Sequence, residues 1–323
     1  MELFAQEKKY IFDSDAKELA LKMITEMYNS RDKDFANGRT MRQLFDKICV
    51  RQAERLRKID ISTLSDEELM TLTAEDIPYE APRKVDYTEC LSKLNDMVGL
   101  AAVKNEIAKL AAFLNLQIQR GETNTFQGKH YVFTGNPGTG KTTVARIMAE
   151  VFRNLGILSR GQLVEADRSK LVAGYAGQTA IKTNQLIDSA MGGVLFIDEA
   201  YTLKSSDNDS FGGEAIDTLL KRLEDDRGKF ICIVAGYTDQ MHEFIDSNPG
   251  LKSRFTQNIH FDDYTADELT QIFLNMASEK KYELDEESRA AVHRQFEQLC
   301  LRRDKNFGNA REARRLLDQA VER

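Results

Sequence analysis

The chain lacks the marks of several protein classes, and each absence narrows what it is. No apolar run reaches the roughly 18 residues a membrane span needs. The opening MELFAQEKKYIF has no long apolar core of a secretory leader. The four cysteines, Cys49, Cys90, Cys232 and Cys300, form no C-x-x-C pair. That spacing speaks against a zinc site or a disulfide framework and suits a reducing, cytoplasmic setting. A basic surplus is missing too: 45 Lys and Arg face 52 Asp and Glu, for a formal charge of -7. Electrostatics therefore gives no reason to expect DNA or RNA as a partner. What is present, 41% hydrophobic and 30% charged residues in 323, describes a globular chain long enough for two domains.

The most informative stretch is Gly135-Asn136-Pro137-Gly138-Thr139-Gly140-Lys141-Thr142, which fits G-x-x-x-x-G-K-[ST] at every fixed position. Tyr131 to Thr134 ahead of it reads as a short buried strand. Thr143 to Leu155 behind it carries Val144, Ile147, Met148, Val151, Phe152 and Leu155 at helical spacing. In that strand–loop–helix context, glycines let successive N–H groups turn inward around phosphate oxygens, and the helix N-terminus adds its positive end. Lys141 would reach the β- and γ-phosphates, and the Thr142 hydroxyl would hold Mg2+.

The two ends of the chain repeat each other. Lys8-Lys9-Tyr10 recurs as Lys280-Lys281-Tyr282, an offset of 272. At that offset Asp13 meets Asp285, Arg31-Asp32-Lys33 meets Arg303-Asp304-Lys305, and Phe35 meets Phe307. Asn37, Arg39 and Arg42 then meet Asn309, Arg311 and Arg314. A repeat of this length implies tandem modules, so the chain reads as a piece that begins inside one module and contains the next. Residues 58–86, acidic with two prolines near their end, read as a linker in which Ser65 caps a short helix. From residue 87 an amphipathic helix (Met97 to Leu116) precedes five apolar strand candidates: Tyr131–Thr134, Leu163–Glu165, Val194–Ile197, Phe230–Ala235 and Asn258–Phe261. Helices alternate with these strands, which predicts a three-layer α/β core with a parallel sheet over residues 87–262. Glu268 to Lys280, Glu286 to Leu301 and Asn309 to Arg323 make residues 263–323 an all-α lid.

Gly193 to Glu199 is an apolar run ending in two acids. A buried strand that finishes in carboxylates presents them at the C-terminal edge of the sheet, where ligands bind in such folds. Asp198 would hold the Mg2+ shell and Glu199 would polarise the attacking water.

Together the phosphate loop and the strand ending in Asp198-Glu199 resemble an AAA+ ATPase of the P-loop NTPase class. The fuller set resembles its CbxX/CfqX branch, which includes the red-type Rubisco activase and sporulation stage V protein K. That set comprises Asn95 to Leu100 (NDMVGL), Phe133 to Ala145 (FTGNPGTGKTTVA), Leu171 to Ala180 (LVAGYAGQTA) and Ile197 to Tyr201 (IDEAY). Val234 to Tyr237 (VAGY), Asn248 to Phe255 (NPGLKSRF) and Gly308 to Arg311 (GNAR) complete it. The resemblance covers residues 90–323, and through the repeat residues 1–57, which resemble the lid of a preceding module.

The resemblance implies ATP as ligand with Mg2+, a ring of like subunits, most often a hexamer, and chaperone-like remodelling of a protein partner it does not identify. Val98 and Gly99 would line the adenine pocket, and Asn136, Pro137, Gly138, Thr139, Gly140, Lys141, Thr142 and Thr143 would hold the phosphates. Arg254 resembles an arginine finger that reaches a neighbour's γ-phosphate, and Arg311 a lid arginine that senses phosphate. Tyr175, between Gly174 and Gly177, resembles a pore-loop aromatic that grips a polypeptide. Gly212-Gly213 suggests a second flexible loop. The strand Phe230 to Ala235 leads not into the asparagine that orients water in the wider superfamily but into Gly236-Tyr237-Thr238-Asp239. Thr238 aligns best with that asparagine, with Asp239 as competitor. That departure keeps a second reading open, an ATP-binding scaffold or switch that hydrolyses little. Intact Lys141, Asp198, Glu199 and Arg254 oppose it.

Overall fold

The computed structural model describes residues 2–29, 37–59, 64–79, 87–120, 129–175, 177–204, 209–304 and 307–322. They fall into two units, Met1–Lys84 and Val85–Arg323.

The first unit contains α1 (Glu2–Glu7), β1 (Ile11–Phe12), α2 (Ser14–Asn29), α3 (Asn37–Leu56), α4 (Asp66–Met70) and β2 (Thr71–Leu72), then a 3-10 turn at Ala74–Asp76. Its core gathers Ala16, Phe45, Ile48, Leu72 and Ile77, all nearly inaccessible. Residues 64–79, read from sequence as linker, thus belong to this unit. Two forces hold them. β1 and β2 pair in parallel, Ile11 with Thr71 and Phe12 with Leu72. The fully buried Asp76 takes two hydrogen bonds from Arg55, Nε at 2.8 Å and Nη2 at 2.9 Å. The acidic composition of the stretch hid both, because one carboxylate is a buried partner rather than a solvated charge. The Ser65 capping box opens α4 as the sequence indicates.

The second unit contains α5 (Tyr87–Asp96), α6 (Ala101–Gln119), β3 (Tyr131–Gly135), α7 (Lys141–Asn154), β4 (Leu163–Ala166), α8 (Arg168–Leu171), α9 (Thr179–Ala190) and β5 (Val194–Ile197). A 3-10 turn at Ala200–Lys204 leads to α10 (Ser210–Asp225), β6 (Ile231–Gly236), α11 (Thr238–Asp246), α12 (Pro249–Arg254) and β7 (Gln257–Phe261). The lid follows as α13 (Ala266–Glu279), α14 (Glu286–Leu301) and α15 (Ala310–Val321). The five-stranded sheet has the order β4-β5-β6-β3-β7, every pair parallel.

The inner strands β3, β5 and β6 are buried at every residue. Side chains alternate across a strand, so each feeds two cores. Tyr131, Phe133, Val194, Phe196, Ile231 and Ile233 face α5, α6, α7 and the lid. Val132, Leu195, Ile197, Cys232 and Val234 face α9, α10, α11 and α12. Burying an apolar side chain of this size contributes about 1.5–3 kcal/mol, so the three-layer arrangement follows from continuous apolar strands needing cover on both faces.

Gly212 and Gly213, read as a loop, sit in α10. A Cβ on Gly212 would strike the Leu203 carbonyl, so that glycine permits close packing of the helix on the preceding turn. Residues 205–208, beside it, lie outside the described residues.

The repeat has a geometric counterpart. Lys9 and Lys281 both adopt left-handed backbone, φ 61° and 64°. Tyr10 N–H donates to Ala5 O at 2.8 Å, and Tyr282 N–H to Ala277 O at 2.9 Å. Asp13 accepts from Ala16 N–H at 2.6 Å and Asp285 from Ser288 N–H at 2.8 Å. Lys8 pairs with Asp46 at 3.3 Å, and Lys280 with Asp318 at 3.0 Å. Each pair of sites stands at the same offset. The repeat's Arg31-Asp32-Lys33 and Phe35 fall outside the described residues.

Candidate functional site

The carboxyl ends of β3, β5 and β6 open into a cavity of about 720 Å³, closed from the other side by the lid. That volume suits a nucleotide. β3 ends in the phosphate loop, whose Gly138 (φ 72°) and Gly140 (φ 95°) hold left-handed backbone that side chains resist. A Cβ on Gly138 would also run into the Gly308 carbonyl of the lid. Gly138, Gly140, Lys141, Thr142 and Thr143 line the cavity at the N-terminus of α7. The Lys141 ammonium donates to Gly135 O at 2.8 Å and Asn136 O at 2.7 Å. Burial pushes its pKa down to about 8, with Asp198 pulling upward and Arg311 downward. A buried cation so placed gains from an approaching phosphate.

β5 delivers Asp198 and Glu199 to the same cavity. Glu199 takes φ 47°, a left-handed conformation rare outside glycine. Its N–H donates to Asp198 Oδ1 at 3.0 Å, and its carbonyl accepts from Thr202 Oγ1 at 2.7 Å. The strained turn leaves its carboxylate exposed, between the cavity and an adjoining depression of about 530 Å³ that Glu165, Asp167 and Thr142 also border. Thr142 and Asp198 line both spaces. Among the described residues no three His, Cys, Asp or Glu side chains gather into a metal cage. A hydroxyl beside one carboxylate fits Mg2+, which keeps several waters and takes one or two protein ligands together with phosphate oxygens. The cradle, the cation and this oxygen pair fit a magnesium-bound nucleoside triphosphate.

The other sequence-predicted residues divide between this cavity and other places. Val98 and Pro137 line the cavity, but Gly99 (φ 64°) backs onto Tyr264 and Glu268. Asn136 turns its amide to both oxygens of Asp263 at 3.0 Å. The Thr139 hydroxyl is buried, donating to Asn136 O. Thr238 opens α11 onto a separate depression of about 360 Å³ with Asn136, His260 and Arg303, while Gly236 and Tyr237 take the place on the main cavity. Arg254 ends α12 away from its own chain's cavity. It pairs with Glu224 at 3.2 Å, and its Nε is buried without a partner. Beside it, burial first and then Arg254 and Arg227 push the His130 pKa down to about 4. Tyr175 is 75% exposed in the loop between α8 and α9.

The lid supplies Arg311, as the motif implies, and also Arg314, one helical turn on, with Ile272 and Met276. It further grips the phosphate loop from behind. Three consecutive loop carbonyls accept from it: Pro137 O from Asn309 Nδ2 (3.2 Å), Gly138 O from Ala310 N–H (3.2 Å) and Thr139 O from Tyr264 O–H (3.3 Å). Asn309 is fully buried, donates to Asp263 at 2.7 Å and accepts from Tyr264 N–H at 2.9 Å. In the sequence Asn309 stands in the Gly308-to-Arg311 stretch and in the repeat, with nothing local to mark its role. Its recurrence beside a lid arginine was the available signal. Asn309→Ala leaves the Tyr264 N–H without its acceptor and the Asp263 carboxylate without one donor, so it is expected to cost about 2–3 kcal/mol. Nucleotide affinity should fall with it. Denaturant unfolding and a nucleotide titration check both. Lost stability with unchanged affinity would reduce Asn309 to a packing role.

Fold and site together define an AAA+ ATP hydrolase. A family profile described as "ATPase family associated with various cellular activities (AAA)" matches residues 131–263, and one described as "AAA lid domain" matches residues 1–86 and 265–323. The chain belongs to the CbxX/CfxQ family of AAA+ ATPases. It is 45% identical over 240 residues to the chromosomal CbxX protein of Cupriavidus necator, covering 72% of this chain and 74% of the relative. It is 42% identical over 247 residues to the chloroplastic ribulose bisphosphate carboxylase/oxygenase activase of Cyanidioschyzon merolae, covering 74% and 82%. A RuvB mutant from Thermotoga maritima shares the fold, at 24% identity and a TM-score of 0.50 over 71% of this chain and 64% of that one. No helix among the described residues is long and apolar enough to cross a membrane.

Proposed function

We propose that the chain is an ATP-driven remodeller of a protein partner, working in a homo-oligomeric ring, most often a hexamer in families it resembles. The observation that carries this reading is the position of Arg254, off its own cavity with an unpartnered Nε. A guanidinium with no work in its own site fits one donated to a neighbour's. The depression beside Glu199, bordered by Glu165, Asp167 and Asp198 and also by Arg168 and Lys170, is the opening through which it would reach the site. Lys141 binds phosphate, Thr142 and Asp198 hold Mg2+, Glu199 takes up the proton of the attacking water, and Arg311 couples phosphate to lid position. Mg2+, when bound, neutralises charge on the β- and γ-phosphates.

A protein client is supported by a relative named as the activase of an enzyme, and by the exposed Tyr175 on a glycine-flanked loop. The excess of acidic residues favours such a client over nucleic acid, and four free cysteines fit the cytoplasm. Residues 1–57 read as the lid of a preceding module, supported by the lid-profile match and the repeated Lys–Asp pairs. A nucleotide switch with little hydrolysis is the second reading, favoured by the absence of an asparagine after β6. ATPase rate per subunit against protein concentration separates the two. A rate that climbs with concentration is expected from a site completed by assembly. A rate that stays flat and near zero despite tight ATP binding supports the switch.

A further inference from the structure

The strand order places β6 between β5, which ends in the Asp198-Glu199 pair, and β3, which ends in the phosphate loop. Whatever leaves β6 therefore emerges between the two halves of the site. Gly236 closes the strand opposite Thr134, and Tyr237 follows as the last residue before α11. Tyr237 lines the nucleotide cavity, whereas Thr238 faces another depression.

The Tyr237 ring is held in place. It packs on Tyr201, centroids 6.1 Å apart, and the Tyr201 ring in turn fills the space a Cβ on Gly236 would need. The Tyr237 side chain is half-buried, and its hydroxyl has no hydrogen-bond partner among the described residues. A phenol held by a neighbouring ring on the wall of the nucleotide cavity, with an O–H that no described residue accepts, is a donor open to a ligand bound there.

We propose that Tyr237 recognises the terminal phosphate, its phenol donating a hydrogen bond to a γ-phosphoryl oxygen of the bound nucleoside triphosphate. The inference rests on the ATPase reading above and assigns the contact to Tyr237 in place of Thr238. It makes the site discriminate triphosphate from diphosphate through a tyrosine where the superfamily pattern has an asparagine.

The test is equilibrium binding of ADP and of a non-hydrolysable ATP analogue, both with Mg2+, to the full chain. Tyr237→Phe keeps the ring on Tyr201 and removes only the hydroxyl. It is expected to weaken the analogue about tenfold or more, the loss appropriate to a hydrogen bond with a charged group, and to leave ADP within about twofold. Retained ADP binding also shows that the variant folds. Equal weakening of both ligands, or of neither, would overturn the proposal. So would a triphosphate-specific loss that follows Thr238→Val and not Tyr237→Phe. A wild-type chain that binds neither nucleotide would overturn the ATPase reading itself, a result distinguishable from the others.

Discussion

Arg254→Ala is expected to lower ATP turnover by about 10³-fold or more, the scale of a lost arginine finger, while leaving ATP affinity within a few-fold. Both halves follow from where the side chain sits. It does not line the cavity of its own chain, so nucleotide held by Lys141 and the phosphate loop loses no local contact. Its ion pair with Glu224 is a partly exposed one, 25% and 48%, worth about 1 kcal/mol or less. Nothing buried is left charged, because His130 beside it is already neutral at pH 7. Steady-state turnover and nucleotide titration on one preparation give the two numbers. Weaker binding in step with turnover would mean that Arg254 serves nucleotide capture.

Glu199→Gln is expected to cost about 10²–10⁴ in turnover, the range for removing a general base. Glutamine keeps the size of the side chain, and the backbone contacts of the strained φ 47° turn involve only N–H and carbonyl groups. Fold and binding should therefore survive, and the variant should accumulate bound ATP. Asp198→Asn makes the contrast: its loss should appear as a weaker response to Mg2+. Turnover in Glu199→Gln close to wild type would move the activating role to another group on the cavity.

The parts of the site that were legible in the sequence are those that chemistry fixes locally. A glycine-rich turn before Lys141 and a buried strand running into Asp198-Glu199 each carry their meaning within a few residues. All five strand candidates are observed within a residue of their expected ends. What escaped is tertiary. Asn309, Tyr264 and Arg314 reach the nucleotide cavity or the phosphate loop only because the lid folds back over 120 residues or more of intervening chain. Whether Tyr237 or Thr238 faces the cavity turns on one residue at a strand end, where successive side chains point opposite ways. Residues 64–79 were hidden by composition, since an acid buried against Arg55 is written with the same letter as an acid in water.

The most direct measurement mixes two inactive variants. Lys141→Ala carries an intact Arg254 beside a disabled site, and Arg254→Ala carries an intact site without the arginine. Each alone should hydrolyse ATP at a small fraction of the wild-type rate. Mixed under conditions where labelled subunits are seen to exchange, they should recover turnover, since some sites then meet an arginine from a neighbour. A mixture no more active than its components, with exchange verified and wild type active, would contradict a site completed between subunits.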